Sequence, residues 1–259
     1  TNCQIVPLDS EHQSLYQLLK QVDRASVSKV TITGSGGPFL HTPVMNLAEV
    51  TPEQAIAHPR WKMGPKISTD SATMFNKALE LVEAHYLFDL PAEKIAVLIH
   101  PQSVVHGLVD LDSGESHAAL APADMRVPIT NALTELVKED TNHGAAQRKA
   151  SQLVSGVTAC ELTKVGKLEF FAPDFERFPA LKLGYEVIRQ GEGYPIVLNA
   201  ANEIAVASFL GQQLKFTQIA KIVEETLARY HGRKILTLED IYEVDAWARS
   251  QASNLTVTH

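Results

Sequence analysis

Ile95-Ala-Val-Leu-Ile-His-Pro-Gln-Ser-Val-Val-His-Gly-Leu-Val-Asp-Leu-Asp-Ser-Gly-Glu-Ser-His-Ala-Ala-Leu120 holds three strand-like runs in succession, at Ile95–His100, Val104–Leu111 and Glu115–Leu120. Two further runs, Gln4–Leu8 and Lys29–Thr33, precede them, the first reading as a buried strand. Helical patterns lie between: Glu11–Val22, a short one opening Thr51-Pro52-Glu53-Gln54, and a long one starting near Asp70 or Ser71. Strands interleaved with helices predict an α/β (α+β) domain with a mixed sheet. Gly34–Pro43 and His58–Pro65 are loops dense in Gly and Pro, and Asp124–Leu162 reads as helical and polar. After the aromatic connector Phe170-Phe-Ala-Pro-Asp-Phe-Glu-Arg-Phe-Pro179, helical segments follow at Ala180–Gln190, Pro195–Gln212, Thr217–Tyr230 and Leu238–Ala252. These carry no strand signal and predict a small C-terminal helical bundle. The expected division is a catalytic metal and substrate domain at 1–165, a connector at 166–179 and the bundle at 180–259.

Composition narrows the classes. The 259 residues are 45% hydrophobic and 20% charged, with a net charge of −7. No Lys/Arg cluster forms the basic patch of a nucleic-acid binder, and no apolar run reaches the length of a membrane span. Two cysteines, Cys3 and Cys160, make no disulfide framework, so a reducing cytoplasm is expected. Because Thr1 leads straight into a strand-like run, the chain is expected to be part of a longer protein.

The polar residues suggest chemistry at several places. Asp9 and Glu11, read in an extended segment, point to one side and offer hard oxygen ligands, which with Glu80 suit Mg²⁺ or Mn²⁺. Asp9 and Ser10 can equally be the cap of the following helix. Asn76, Lys77 and Glu80 fall on adjoining turns of one helix face, an amide, a cation and a carboxylate where a core helix carries apolar residues. Ser71, placed at that helix's N-terminus, would meet a phosphate; taken singly it is a cap and Lys77 a solvated charge. The Gly34-Ser35-Gly-Gly-Pro38 loop either brings backbone N–H groups to an anion or is a tight turn. His58-Pro-Arg-Trp61-Lys-Met63-Gly64 is either a mobile flap or a loop anchored by its Trp, with His58 alone an ordinary surface histidine. His100 and His106 are most simply hydrogen-bonded core histidines. Asn199-Ala-Ala-Asn-Glu203 reads as structural, its polar groups satisfying one another or capping a loop.

Taken together, these motifs resemble those of the 1-deoxy-D-xylulose 5-phosphate reductoisomerase family. The residues that carry the likeness are Asp9–His12, Gly34–Phe39, His58–Gly64, Lys66–Glu80, Ile99–His106 and Leu198–Glu203. The resemblance implies a metal- and NADPH-dependent rearrangement and reduction of a phosphorylated sugar, in non-mevalonate isoprenoid precursor synthesis. It implies Asp9, Glu11 and Glu80 as metal ligands for Mg²⁺ or Mn²⁺. Ser10 becomes a substrate contact, Ser35, Ser71, Asn76 and Lys77 a phosphate site, and His58 a neighbour of that site with a catalytic part. Trp61, Met63 and Gly64 fall on a closing flap, Trp61 toward substrate and Met63 and Gly64 toward cofactor. Met125 lies near the nicotinamide and His106 near the active site. A homodimer in the bacterial cytoplasm is implied, with a plastid-type stroma as the second compartment, and neither nucleic acid nor membrane as partner.

Two departures go with the resemblance. The family's Gly-rich dinucleotide-binding fingerprint is not in this sequence, so the chain by itself is expected to be inactive. The Trp- or Tyr-Pro-x-Arg segment that family members carry after the Met125 region is replaced by a longer polar stretch at 134–154. The alternative is a fragment acting only as a phosphosugar- and metal-binding or dimerisation module; a metal-dependent isomerase or aldolase using the same carboxylates without nicotinamide is a third reading. Glu80→Gln is expected to lose metal binding with the fold intact, on the reading that this carboxylate faces the surface.

Overall fold

The computed structural model describes residues 5–61, 63–137, 154 and 156–258. By contacts the chain falls into two compact units, Thr1–Ser35 with Tyr86–Ala172, and Gly36–His85 with Pro173–His259.

The first unit is built on a four-stranded mixed sheet of order β2-β1-β3-β4. The strands are β1 (Val27–Gly34), β2 (Ile95–Ile99), β3 (Val105–Leu111) and β4 (Ser116–Leu120). β1 runs parallel to β2, pairing Val30 with Ile95, and antiparallel to β3, pairing Ile32 with Gly107. As an inner strand β1 buries residues on both faces, Val30 and Ile32 beside Thr31 and Thr33. The edge strand β2 alternates, with Ile95, Val97 and Ile99 inside. Helix α1 (Ser10–Leu19) lies on β3, burying Leu15, Leu18 and Leu19. Gly107 permits that approach, because a Cβ there would meet Leu15 Cδ2 at 3.1 Å. Helix α5 (Arg126–Val137) packs beside α1. The chain returns along the end of β2, where Ile99 and Phe171 exchange backbone hydrogen bonds of 2.9 Å in both directions.

The second unit is helical, with no strand among its described residues. It holds α2 (Pro52–Ile56), α3 (Pro65–Thr73), α4 (Phe75–Phe88) as far as His85, then α7 (Ala180–Gln190), α8 (Tyr194–Leu210), α9 (Gln218–Ala228) and α10 (Leu238–Thr258). A four-residue α6 (Leu162–Val165) belongs to the first unit. α8 is the central helix: Val197, Leu198, Ala201, Ala205 and Phe209 are buried, and α7, α9 and α10 all pack on it. The same core takes Phe39, Leu47, Ala55, Ala72, Phe75 and Ala78 from the earlier segment. Gly184 lets α7 lie close on α4, since an added Cβ would come within 3.0 Å of Ala78 Cα and Cβ.

Three expectations are corrected. Residues 5–8 form no strand: Ile5 and Leu8 are exposed, and Pro7 has no N–H to give a ladder. Gln4 and Cys3 lie outside the described residues. The helix expected to begin near Asp70 is two helices. α3 starts at Pro65 with Gly64 as its N-cap and stops at Met74, whose φ of 65° is left-handed, before α4 begins at Phe75. Of the helix expected over Asp124–Leu162, α5 forms the first part, residues 156–161 are non-helical, and 138–153 lie outside the described residues.

Candidate functional site

Asp9 is the N-cap of α1 and Ser10 and Glu11 its first residues, so the three sit on a helix end rather than in an extended segment. The carboxylates still converge, with oxygens of Asp9 and Glu11 within 4.8 Å of each other. A helix N-terminus favours that negative charge. The cap is partial, because Asp9 accepts from Ser10 N (2.9 Å), its immediate neighbour. Asp9 also lies 3.7 Å from the buried His12 ring.

Ser10 is the start of a hydrogen-bonded chain into the sheet. Its hydroxyl donates to Glu11 Oε2 at 2.5 Å and lies 3.1 Å from Nδ1 of His106 on β3, whose Nε2 is 3.1 Å from the Ala121 carbonyl. A carbonyl only accepts, so Nε2 carries a hydrogen. The single hydroxyl hydrogen of Ser10 goes to Glu11 or to Nδ1, never to both. A cavity of about 130 Å³ opens beside this chain, lined by Ser10, Gln13, His106, Ala121, Asp124 and Val127. Met125, at the head of α5, is partly exposed, 38% of its surface accessible.

In the second unit Asn76, Lys77 and Glu80 form one cluster on α4. Lys77 Nζ donates to Glu80 Oε2 at 2.5 Å, and Asn76 Nδ2 donates to Glu80 Oε1. Lys77 and Glu80 are 4% and 2% exposed, so neither is a solvated charge, and Glu80 does not face the surface. Ser71 sits in the last turn of α3, not at a helix N-terminus; the positive end falls instead at Phe75–Lys77, the start of α4. Gly37, with φ of 66°, is seated on that last turn, where a Cβ would lie 2.7 Å from the Ser71 carbonyl oxygen. Ser35, directly after β1, is half-buried.

The His58 loop is organised by its own ring. Nδ1 accepts from Trp61 N (2.8 Å) and Arg60 N (3.2 Å), which fixes the neutral ring with its hydrogen on Nε2. Burial holds His58 below the ordinary histidine value of 6.5. Trp61 and Met63 are half-buried and Gly64 exposed; Lys62 lies outside the described residues.

One buried polar contact was not read from the sequence. Asp70, 2% exposed, accepts from Asn202 Nδ2 of α8 at 2.9 Å and pairs with Lys66 Nζ at 2.5 Å. Burial pushes its carboxyl above the usual range. Asn202 and Glu203 therefore do not satisfy each other: Glu203 pairs with Arg249 (2.6 Å). The signal was Asn202 among the apolar residues of the buried face of α8. His100 and His106 are the buried, hydrogen-bonded histidines expected, His100 through Nδ1 to the Glu169 carbonyl at 2.8 Å. Among the described residues no helix is long and apolar enough to cross a membrane.

Comparison with known proteins gives one consistent result. The 1-deoxy-D-xylulose 5-phosphate reductoisomerase C-terminal domain profile matches residues 5–88, and the DXP reductoisomerase C-terminal domain profile matches 120–251. A 1-deoxy-D-xylulose 5-phosphate reductoisomerase from Thermomicrobium roseum is 48% identical over 257 residues, covering 98% of this chain and 63% of the relative. One from Prosthecochloris aestuarii is 44% identical with the same coverages. The solved Zymomonas mobilis enzyme in complex with NADPH superposes with a TM-score of 0.83 at 43% identity, over 97% of this chain and 61% of that one. A solved DOX-P reductoisomerase in complex with NADPH, fosmidomycin and magnesium gives 0.82 at 38% identity, over 98% and 63%. The chain thus spans about 63% of the length of the curated relatives it matches.

Proposed function

The chain belongs to the 1-deoxy-D-xylulose 5-phosphate reductoisomerase family, and from that premise we propose that it supplies the metal- and substrate-binding part of such an enzyme. The reaction is conversion of 1-deoxy-D-xylulose 5-phosphate to 2-C-methyl-D-erythritol 4-phosphate in the non-mevalonate route to isoprenoid precursors. The observation that carries this reading is the Asp9–Glu11 pair, two carboxylates converging around a serine that is bonded onward to a buried histidine.

Hard oxygen donors fit Mg²⁺ or Mn²⁺, and Asp9, Glu11 and Glu80 are the proposed ligands. When bound, such an ion acidifies a substrate hydroxyl and polarises a carbonyl, and NADPH supplies the hydride. Ser10, turned from Glu11, offers its hydroxyl to a substrate oxygen, and His106 holds it in orientation. Lys77 and Asn76 at the head of α4, with Ser35 and Ser71, bind the phosphate. The His58 loop excludes water through Trp61, and Met63, Gly64 and Met125 present surface to the cofactor. The solved relatives that carry NADPH, fosmidomycin and magnesium support the choice of cofactor and metal. A homodimer in the bacterial cytoplasm belongs to the same proposal, in keeping with the bacterial relatives.

The test is NADPH oxidation by the full-length protein on addition of 1-deoxy-D-xylulose 5-phosphate with Mg²⁺ or Mn²⁺. Oxidation that a chelator abolishes is expected, and a full-length protein that binds both ligands without turnover overturns the reading in favour of a binding module. The chain alone is expected to bind Mn²⁺ and leave NADPH unoxidised.

A further inference from the structure

We infer that Arg177, in the connector between the sheet and the last four helices, is a positioning residue for the glycine-rich substrate loop. The inference rests on the proposed function, in which that loop contacts the phosphorylated substrate. The Arg177 guanidinium Nη1 reaches three carbonyls within four residues of loop backbone, donating toward those of Leu40 (2.7 Å), Thr42 (2.8 Å) and Phe39 (3.4 Å). Its Nε lies 3.3 Å from Asp174 Oδ2, while Asp174 Oδ1 accepts from the backbone of Glu176 (3.1 Å) and Arg177 (2.9 Å). Asp174 thereby aims the guanidinium from its own short turn.

The geometry suits arginine alone. The Phe39 carbonyl already accepts from Thr42 N at 3.1 Å, and for the carbonyls of Leu40 and Thr42 a charge-assisted donor is a strong partner. The guanidinium meets the three carbonyls through Nη1 while its Nε faces Asp174, and a lysine ammonium, a single nitrogen, cannot make both engagements at once. What the clamp holds is specific. Phe39 anchors the loop's apolar end in the core, edge-on to Phe216 at 5.1 Å. At its other end Gly37 rests on the Ser71 carbonyl with no room for a Cβ. The carbonyls of 39, 40 and 42, at Phe39 and just after it, are turned to Arg177, so the clamp fixes the outgoing end of the loop whose Gly37 rests on α3. Arg177 itself touches no substrate; it acts through the loop.

Arg177→Met and Arg177→Lys in the full-length protein test this, with three readouts. The first is hydrogen exchange of the amides at 36–42, the second KM and kcat with 1-deoxy-D-xylulose 5-phosphate, the third Mn²⁺ affinity. Arg177→Met is expected to speed exchange at 36–42 selectively and to raise KM about tenfold or more, since small misplacements of binding groups cost that much. kcat at saturation and Mn²⁺ affinity stay within about twofold, and Arg177→Lys recovers only part of the KM loss. Unchanged KM in a folded Arg177→Met protein overturns the inference while leaving the proposed function standing. Equal loss of exchange protection throughout the second unit also overturns it, by making the residue a general fold contact. A wild-type protein without turnover overturns the proposed function and this inference with it.

Discussion

Glu80 accepts on both oxygens, from Asn76 and from Lys77, in surroundings that leave it 2% exposed. Its replacement is therefore not the neutral change of a surface carboxylate. Glu80→Gln removes the charge partner of buried Lys77, and breaking a buried pair costs about 3–5 kcal/mol where one ion is left behind. Urea denaturation should show a loss of that order, and Mn²⁺ affinity should fall as well. Adding Lys77→Met should restore most of the stability and none of the metal affinity, which separates the structural cost from the ligand's role. His58 gives a second prediction. Burial holds its pKa below 6.5, so the folded loop favours the neutral ring that accepts from Trp61 and Arg60. The stabilisation is present above 6.5, and it is lost as pH falls through the lower folded value. With Trp247 replaced by Phe, Trp61 fluorescence should report loosening of the loop below pH 6.5, and His58→Gln should flatten that transition. Spacing alone put Asn76, Lys77 and Glu80 side by side, since i+3 and i+4 neighbours are a property of any helix. It could not show that they face one another out of water, because burial is set by segments distant in sequence.

The helices near the site show where local signals were and were not enough. Gly64-Pro65 is a helix start of the favoured kind, with Pro at the first position, yet inside a Gly- and Pro-rich loop it reads as more loop. The stop is at Met74, a residue with no intrinsic preference for left-handed backbone, so nothing local marks the break that puts Ser71 at a helix end. α3 is joined across to α8 by Asp70 with Asn202, beside the buried Ala72. Burial raises the Asp70 carboxyl, so ionising it costs stability; that cost is absent below the ordinary value of 3.8 and grows as pH rises through the folded value. Asp70→Asn keeps an acceptor for Asn202 and releases half-exposed Lys66 to solvent. It is expected to stabilise the protein by about 1 kcal/mol or more at pH 7 and by far less near pH 3, measured by urea denaturation at both. Equal stability of variant and parent at pH 7 would show that Lys66 already offsets the burial of Asp70. The sheet, by contrast, was legible almost strand for strand, because β1, β2 and β3 carry dense runs of Val, Ile and Leu with the period of two or the full burial that a mixed sheet demands.

At the scale of the molecule, the helices of 180–259 were readable one by one, but the core they share was not. Contacts between segments more than a hundred residues apart leave no periodic trace in either segment. Phe39, Leu47, Ala55, Ala72, Phe75 and Ala78 stand in the same buried cluster as Val187, Leu198, Phe209 and Ile222. A bundle at 180–259 standing by itself, the division the sequence suggests, would turn the faces that meet those residues to water. At about 25 cal/mol per Å² of apolar surface, two phenylalanines alone amount to several kcal/mol, a large part of the stability of a domain that size. The isolated segment 180–259 is therefore expected to keep helical far-UV circular dichroism while melting broadly and binding a hydrophobic dye, as a compact state without fixed packing does. Adding 36–85 as a separate polypeptide should sharpen the melt and expel the dye. The crossing of α7 on α4 is a finer probe of the same dependence. Gly184→Ala places a Cβ 3.0 Å from Ala78, so it should destabilise the whole chain by about 1–3 kcal/mol and leave isolated 180–259 unchanged or slightly steadier, alanine being the better helix former. A cooperative melt of 180–259 alone, indifferent to added 36–85, would make that segment a domain in its own right and reduce the shared cluster to a docking surface.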